Sequence, residues 1–278
     1  MSRRVLLCKA HVKGHARKDG TYVKPYDTKA PTAAPQAVHH HPRANDQGEP
    51  VEVKQPSHAS APSTWHSAGA VATFLPDGDV PHTLNGIPLT TWRDHPKTND
   101  GWEFTDGIND DLDEPHMTLP KGKYAASGVA IVEPDGRVWL ICPTNQFGGY
   151  KASFPKGTAE PGLSLQANAL KEAFEESGLK VEITGLLGDY ERTTSKARIY
   201  LARRTGGTPT AMGWESQAVQ LVPKTQLYDH LNMWSDHGIA EALGAGPAPK
   251  KPAPALAVPG KIAQKPTGTT GGYQGNLF

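Results

Sequence analysis

The chain predicts a fold of the α+β or α/β class, a mixed sheet with at least two helices, carried by residues 120–245. Three observations point to it. Two apolar runs, 127–133 and 137–142, flank Pro134-Asp135-Gly136 and read as a hairpin. Residues 165–177 have helical spacing, with Ser164 placed as N-cap and Gly178 as the stop behind them. Further β-like runs stand at 181–192, 197–204 and 218–222.

Between these, residues 151–155 read as a short strand, and 224–231 with 239–243 as closing helices. The flanks differ in composition. Gly and Pro number 29 and 25 in 278 residues, so a core spread evenly over the chain is excluded and one domain with long tails is expected. Residues 1–30 carry eight basic side chains against Asp19 and Asp27. An Asp19-Gly20 pair between short Val- and Tyr-containing runs suits a small basic hairpin there. Residues 28–64, rich in Ala, Pro, His and Gln, read as a disordered linker, so His39, His40 and His41 lack the support that a metal site needs. Residues 65–119 read as a small annex or an ordered loop region. The seven acids of 99–116 do not follow the spacing of a calcium loop and read as a solvated face. Residues 246–278 read as a disordered Pro/Ala/Gly/Lys tail.

Composition narrows the function classes. A net charge of +1 argues against dedicated nucleic-acid binding. Cys8 and Cys142 alone cannot build a disulfide framework, and no apolar run reaches membrane-spanning length, so a cytoplasmic protein is expected.

The chemistry concentrates on the helix at 165–177. Glu172, Glu175 and Glu176 lie at i, i+3 and i+4 and share one face, with Lys171 as the helix's one basic residue. A divalent cation with a taste for hard oxygen ligands, Mg2+ or Mn2+, would offset their repulsion. The helix by itself supports an acidic solvent face equally well.

The span 157–179 resembles the Nudix box: Gly, five residues, Glu, seven residues, then Arg-Glu-apolar-x-Glu-Glu-x-Gly-apolar. Gly157 opens it, and Glu172, Ala173, Glu175, Glu176, Gly178 and Leu179 take the later positions at the required spacing. Phe154-Pro155-Lys156 ahead of it and Pro161-Gly162 within it are also similar to that family. The resemblance implies an α/β/α sandwich and a metal-dependent hydrolase that cleaves a pyrophosphate bond in a nucleoside diphosphate linked to another moiety. It implies Mg2+ or Mn2+ held by Glu172, Glu175, Glu176, the backbone carbonyl of Lys156, and Glu215 from the loop before the last strand. Glu175 or Glu172, then Glu215, is the implied catalytic base. Lys156, Gly157, Lys151, Arg192, Arg198 and Tyr150 are candidate substrate contacts, although Arg192 and Arg198 equally suit solubilising edge-strand charges. Phe147, Tyr150 and Trp214 are candidate base platforms. Two positions depart from the pattern: Leu163 stands for the first box glutamate and Lys171 for the arginine. Lys171 keeps the charge and loses the planar fork. The alternative is a Nudix-fold nucleotide-binding or scaffold module with weak or no catalysis, and restoring a glutamate at 163 is expected to raise activity. At the chain end, Gln274, Leu277 and Phe278 resemble the short peptide with which bacterial proteins dock on the DNA polymerase sliding clamp.

Overall fold

The computed structural model describes residues 39–247 and 249, with 11–12, 15–16, 18, 22–24 and 26–27. The clamp-like residues Gln274, Leu277 and Phe278, the rest of the proposed tail beyond 249, and Cys8 lie outside the described residues. Near the N-terminus, His11 and Val12 pair antiparallel with Asp27 and Tyr26, and His15 and Ala16 with Val23 and Tyr22.

The principal elements in chain order are β1 (Ala72–Phe74), β2 (Tyr124–Ile131), β3 (Arg137–Pro143), β4 (Lys156–Thr158), α1 (Leu165–Ser177), β5 (Leu179–Glu191), β6 (Ser195–Gly207), β7 (Ser216–Pro223) and α2 (Trp234–Ala242). They form two sheets. One is mixed, in the order β4-β2-β6-β5, with β2 and β6 parallel and the other pairs antiparallel. The other is antiparallel, β3-β7-β1.

Side-chain alternation along the strands sorts the interior into two layers. Val129 and Ile131 of β2, Tyr200 and Ala202 of β6, and Trp139 and Ile141 of β3 join α1 through Ala169, Leu170, Ala173 and Phe174. Their neighbours Ala130, Ile199, Val138 and Leu140 join Ile239 and Ala240 of α2. Strands buried on both faces with helices outside them give the α/β/α sandwich that the sequence predicts.

The helix forms as the sequence predicts, because its ends are chemically marked. The Ser164 hydroxyl accepts from the Ala167 amide at 3.2 Å. Gly178 ends the helix at φ 74°, where a side chain would also strike the Thr208 carbonyl and the Met212 amide.

Three expectations are corrected. β2 and β3 do not form a hairpin ladder: Val132 and Val138 make one bridge and the strands then enter different sheets. Both are buried on nearly every residue, so each is covered by its own partners rather than by the other. Residues 151–155 contribute only the bridge between Ser153 and Ile141, and the strand begins at Lys156. Residues 39–64 are ordered. His39 and His40 pair with Val53 and Glu52, Val51 and His41 are buried, and Gln217 Oε1 accepts from the amides of Lys54 (2.8 Å) and Gln55 (3.0 Å). A side chain 163 positions away satisfies this backbone, which composition does not reveal.

Residues 65–119 are the ordered, loop-rich segment that the sequence predicts, packed on the main domain. β1 forms an edge of the antiparallel sheet, and Trp65, Phe74, Leu84 and Trp102 are buried in the same cluster as α1. A buried Glu133 ties this region down. Its carboxylate pairs with Arg204 and accepts from Trp139 Nε1 (2.8 Å) and Asn85 Nδ2 (2.9 Å), while Arg204 also donates to the Leu84 carbonyl.

Candidate active site

β4 and α1 bring the site together. Gly157 sits where the β4 backbone passes the Glu172 side chain, and a Cβ at this position would fall on the Glu172 carboxylate. The Lys156 amide donates to Glu176 Oε2 at 2.7 Å. One strand thus touches two of the three helix glutamates through backbone alone. Gly213 N–H donates to the Glu175 carbonyl at 2.6 Å, which docks the loop bearing Glu215 against the same helix.

The electrostatics are those of crowded, partly dehydrated carboxylates. Burial first, then repulsion from Glu176 and Glu175, pushes the Glu172 carboxyl up to about 9. Burial also raises Glu176, to about 7, against the pull of Lys156. Glu215 is raised by burial and then by Glu175 and Asp46. The repulsion among them places Glu172, Glu175, Glu176 and Glu215 in one electrostatic neighbourhood.

Three residues before Leu163, a carboxylate reaches the helix lysine. Lys171 Nζ pairs with Glu160 Oε1 at 2.6 Å and with Glu175 Oε2 at 3.0 Å. Glu160 is itself held: its amide donates to Asn168 Oδ1 (3.0 Å), and Asn99 Nδ2 donates to its Oε2 (3.2 Å). Asn168 Nδ2 in turn donates to the buried Ser127 hydroxyl at 3.0 Å. Leu163 instead packs, partly buried, on the α1 core cluster. Glu160 carries no box spacing, and the sequence signal for it is only an acid in the same loop.

The candidate substrate contacts divide. The Lys156 ammonium donates to Ser153 Oγ at 2.7 Å, lies 4.8 Å from the centre of the Tyr150 ring, and still pulls on the Glu176 carboxylate through space. Ser153 Oγ donates to Asp236, which pairs with Arg192, and Arg192 donates to Tyr150 Oη at 3.2 Å. Lys156, Tyr150 and Arg192 therefore share one polar network against α2. The Lys151 amide donates to Asn232 and its side chain is exposed beside that network.

Arg198 is a correction. Its guanidinium is buried, pairs with Asp189 (2.8 Å) and Glu114 (3.1 Å), and donates to the Pro115 carbonyl (2.7 Å). Committed to these partners, it is neither a phosphate contact nor an edge charge. The acidic face is corrected with it: Glu114 also accepts from Gln166 Nε2 (2.6 Å) and the Tyr200 hydroxyl (2.7 Å), so one of its acids is an internal anchor.

A cleft of about 400 Å3 opens in front of Lys171 and Glu175. Its walls include Trp214 and Glu215, and also Arg43, Asp46, His95, Lys97 and Trp102 from segments ahead of the sandwich.

Residues 122–242 match the family model described as NUDIX domain, and the chain carries a NUDIX domain over this stretch. Over 59 residues it is 41% identical to an RNA pyrophosphohydrolase of Caulobacter vibrioides (strain NA1000 / CB15N), a stretch amounting to 21% of this chain and 34% of that protein. The chain thus spans about a third of the length of the curated relative it matches. Among solved structures, an ADP-ribose pyrophosphatase from Streptococcus suis 89-1591 is 21% identical, with a TM-score of 0.36 over 44% of this chain and 87% of that one. A NUDIX hydrolase from Nitrosomonas europaea is 19% identical, with a TM-score of 0.39 over 63% and 86%. Likenesses of that size add no argument about activity.

Proposed function

We propose that the protein is a metal-dependent hydrolase of the pyrophosphate bond in a nucleoside diphosphate linked to another moiety. The observation that carries this reading is the crowded, mutually repelling pair of Glu172, buried, and Glu176, partly buried, set against the β4 backbone with Glu175 and Glu215 alongside. The donor set fits Mg2+ or Mn2+: hard carboxylate oxygens, raised in proton affinity for want of a counter-charge, beside a glycine that leaves the strand backbone open. Among the described residues no group of three or more His, Cys, Asp or Glu side chains is already arranged to hold a metal ion. Glu172, Glu175, Glu176 and Glu215 would hold it, with the Lys156 carbonyl.

When bound, the metal supplies charge neutralisation at the phosphates and a lowered pKa for the attacking water. The chain's residues do the rest. Lys171 holds Glu175 by Oε2 and so fixes that carboxylate's orientation. The Lys156 amide fixes Glu176 in the same way. Glu175 or Glu172, as the free carboxylate, is suited to take the water's proton at a carboxylate oxygen, with Glu215 as the next candidate. Glu215 comes from a loop and closes the cleft beside Glu175.

The substrate candidates are ADP-ribose, dinucleoside polyphosphates and non-standard nucleoside triphosphates, and the Caulobacter relative adds a pyrophosphate at an RNA end. A cytoplasmic location belongs to the same reading: Cys142 is an unpaired, buried thiol, and among the described residues no helix is long and apolar enough to cross a membrane. Leu163 favours a second reading, a nucleotide-binding module without turnover; against it, Glu160 brings a carboxylate to Lys171 from the same loop. The test is product release from this substrate panel with Mg2+, with Mn2+ and with chelator, comparing wild type with Glu176→Gln. Metal-dependent turnover lost in the variant supports the hydrolase; binding without turnover supports the module.

A further inference from the structure

Arg43, Asp46, His95, Lys97 and Trp102 lie outside the stretch that matches the NUDIX domain, yet they wall the cleft that ends at Lys171, Glu175 and Glu215. At about 400 Å3 the cleft is the size of a small-molecule site. Its chemistry is graded. Arg43 and Lys97 are exposed cations, whereas Glu175 and Glu215 are anionic groups of the carboxylate cluster.

The cleft is held in place by contacts that reach across the chain. Trp214 Nε1 donates to Asp46 Oδ1 at 3.1 Å, so the segment carrying Arg43 fixes the indole edge. His95 stacks on Phe174 of α1 with ring centres 4.1 Å apart. Its Nδ1 donates to the Trp92 carbonyl at 2.8 Å, which makes Nε2 an acceptor, and Nε2 receives Lys97 Nζ. The ammonium is thereby stationed at the cleft rather than left to swing in solvent.

We propose that this cleft binds a nucleotide, with Arg43 and Lys97 holding its phosphates and the Trp214 indole stacking on its base. The segments ahead of the NUDIX domain are then the substrate-selecting part of the site. This rests on the hydrolase reading, since phosphates held at Arg43 and Lys97 border Glu175 and Glu215. Charge supports the assignment, since two cations suit a phosphate chain, and the Trp214 indole, its N–H engaged by Asp46, lines the same cleft as an apolar ring. Stacking accepts any base, so the cleft selects for nucleotide over bare phosphate and not for one base.

Calorimetric titration of full-length Glu176→Gln with ATP and with inorganic tripolyphosphate, both in Mg2+, tests this without turnover. ATP is expected to bind about tenfold more tightly than tripolyphosphate. Arg43→Ala and Lys97→Ala, both at exposed positions, should each weaken the two ligands about tenfold. Trp214→Ala should erase the preference for ATP, and Trp214→Phe should restore most of it. No ATP binding, equal binding of the two ligands, or dissociation constants unmoved by the Arg43 and Lys97 changes would overturn the proposal. Hydrolysis of the panel by wild type without this binding pattern removes the cleft assignment alone. The binding pattern without hydrolysis removes the hydrolase reading alone.

Discussion

Glu172 and Glu176 ionise at an ordinary 4.5 in the unfolded chain but at about 9 and about 7 in the fold, chiefly through burial. A carboxyl whose pKa is raised by folding contributes stability below its unfolded pKa and loses it as pH rises through the folded value. Metal-free protein should therefore melt at falling temperatures from pH 4.5 to about 9, and Mg2+ should lift the melting point most at the alkaline end. Glu172→Gln removes the ionisable group at constant shape. It should raise the melting temperature in chelator at pH 8 by about 3 °C or more. The same change should cut metal-dependent turnover by roughly a hundredfold or more. A variant that melts lower than wild type in chelator would show that Glu172 is not under electrostatic strain. The Lys171 pairs make a second residue-scale prediction. Because Glu160 and Glu175 already occupy Lys171, Leu163→Glu should not raise turnover, contrary to what the box pattern suggests. It removes an apolar side chain from the α1 cluster and should cost about 1 kcal/mol. Glu160→Gln should instead slow turnover several-fold, since Lys171 then holds Glu175 less firmly; steady-state rates of both variants decide between the two positions.

At the scale of elements, the site depends on how closely β4 approaches α1. Gly157→Ala inserts a methyl where the Glu172 carboxylate lies, so either the side chain or the strand must move. The expected outcome is a loss of about 1–3 kcal/mol, read by denaturant unfolding, together with near-complete loss of activity. Retained turnover in a folded Gly157→Ala protein would show that the contact does not matter to the chemistry. Helix α1 was legible down to its caps, because Ser164 and Gly178 act on their own neighbours. β5, β6 and β7 were legible for the same reason, as long runs of strand-forming residues. The supposed hairpin of β2 and β3 was not, because a tight turn fixes only where the chain reverses. Which strands then pair is settled by burial on both faces, and here each strand pairs elsewhere.

At the scale of the molecule, the NUDIX domain shares its core with the residues ahead of it. Trp65, Phe74, Leu84 and Trp102 come from ahead of it and share the core with α1, and β1 covers the edge of β7. A fragment of residues 120–245 should therefore fail to fold cooperatively, exposing core aromatics and an unpaired strand edge. A fragment of residues 39–247 should melt cooperatively, close to the full chain. Circular dichroism melts of the two fragments check this. A stable, cooperative 120–245 fragment would show that the domain folds without residues 65–119.

The sequence by itself determined the class of fold, the helix that carries Glu172, Glu175 and Glu176, the glycine beside them and the loop position of Glu215. All of these follow from short-range spacing: helical periodicity puts three carboxylates on one face, and a fixed count of residues sets Gly157 before them. Only the tertiary structure decided who neutralises whom. Glu160 pairs with Lys171, Arg198 turns inward to Asp189 and Glu114, and residues 39–64 find order on Gln217. Each of these depends on a partner that the fold, not the local sequence, brings within hydrogen-bonding distance. A charge has no periodicity to betray its partner, so its role is written in distances that exist only once the chain has packed.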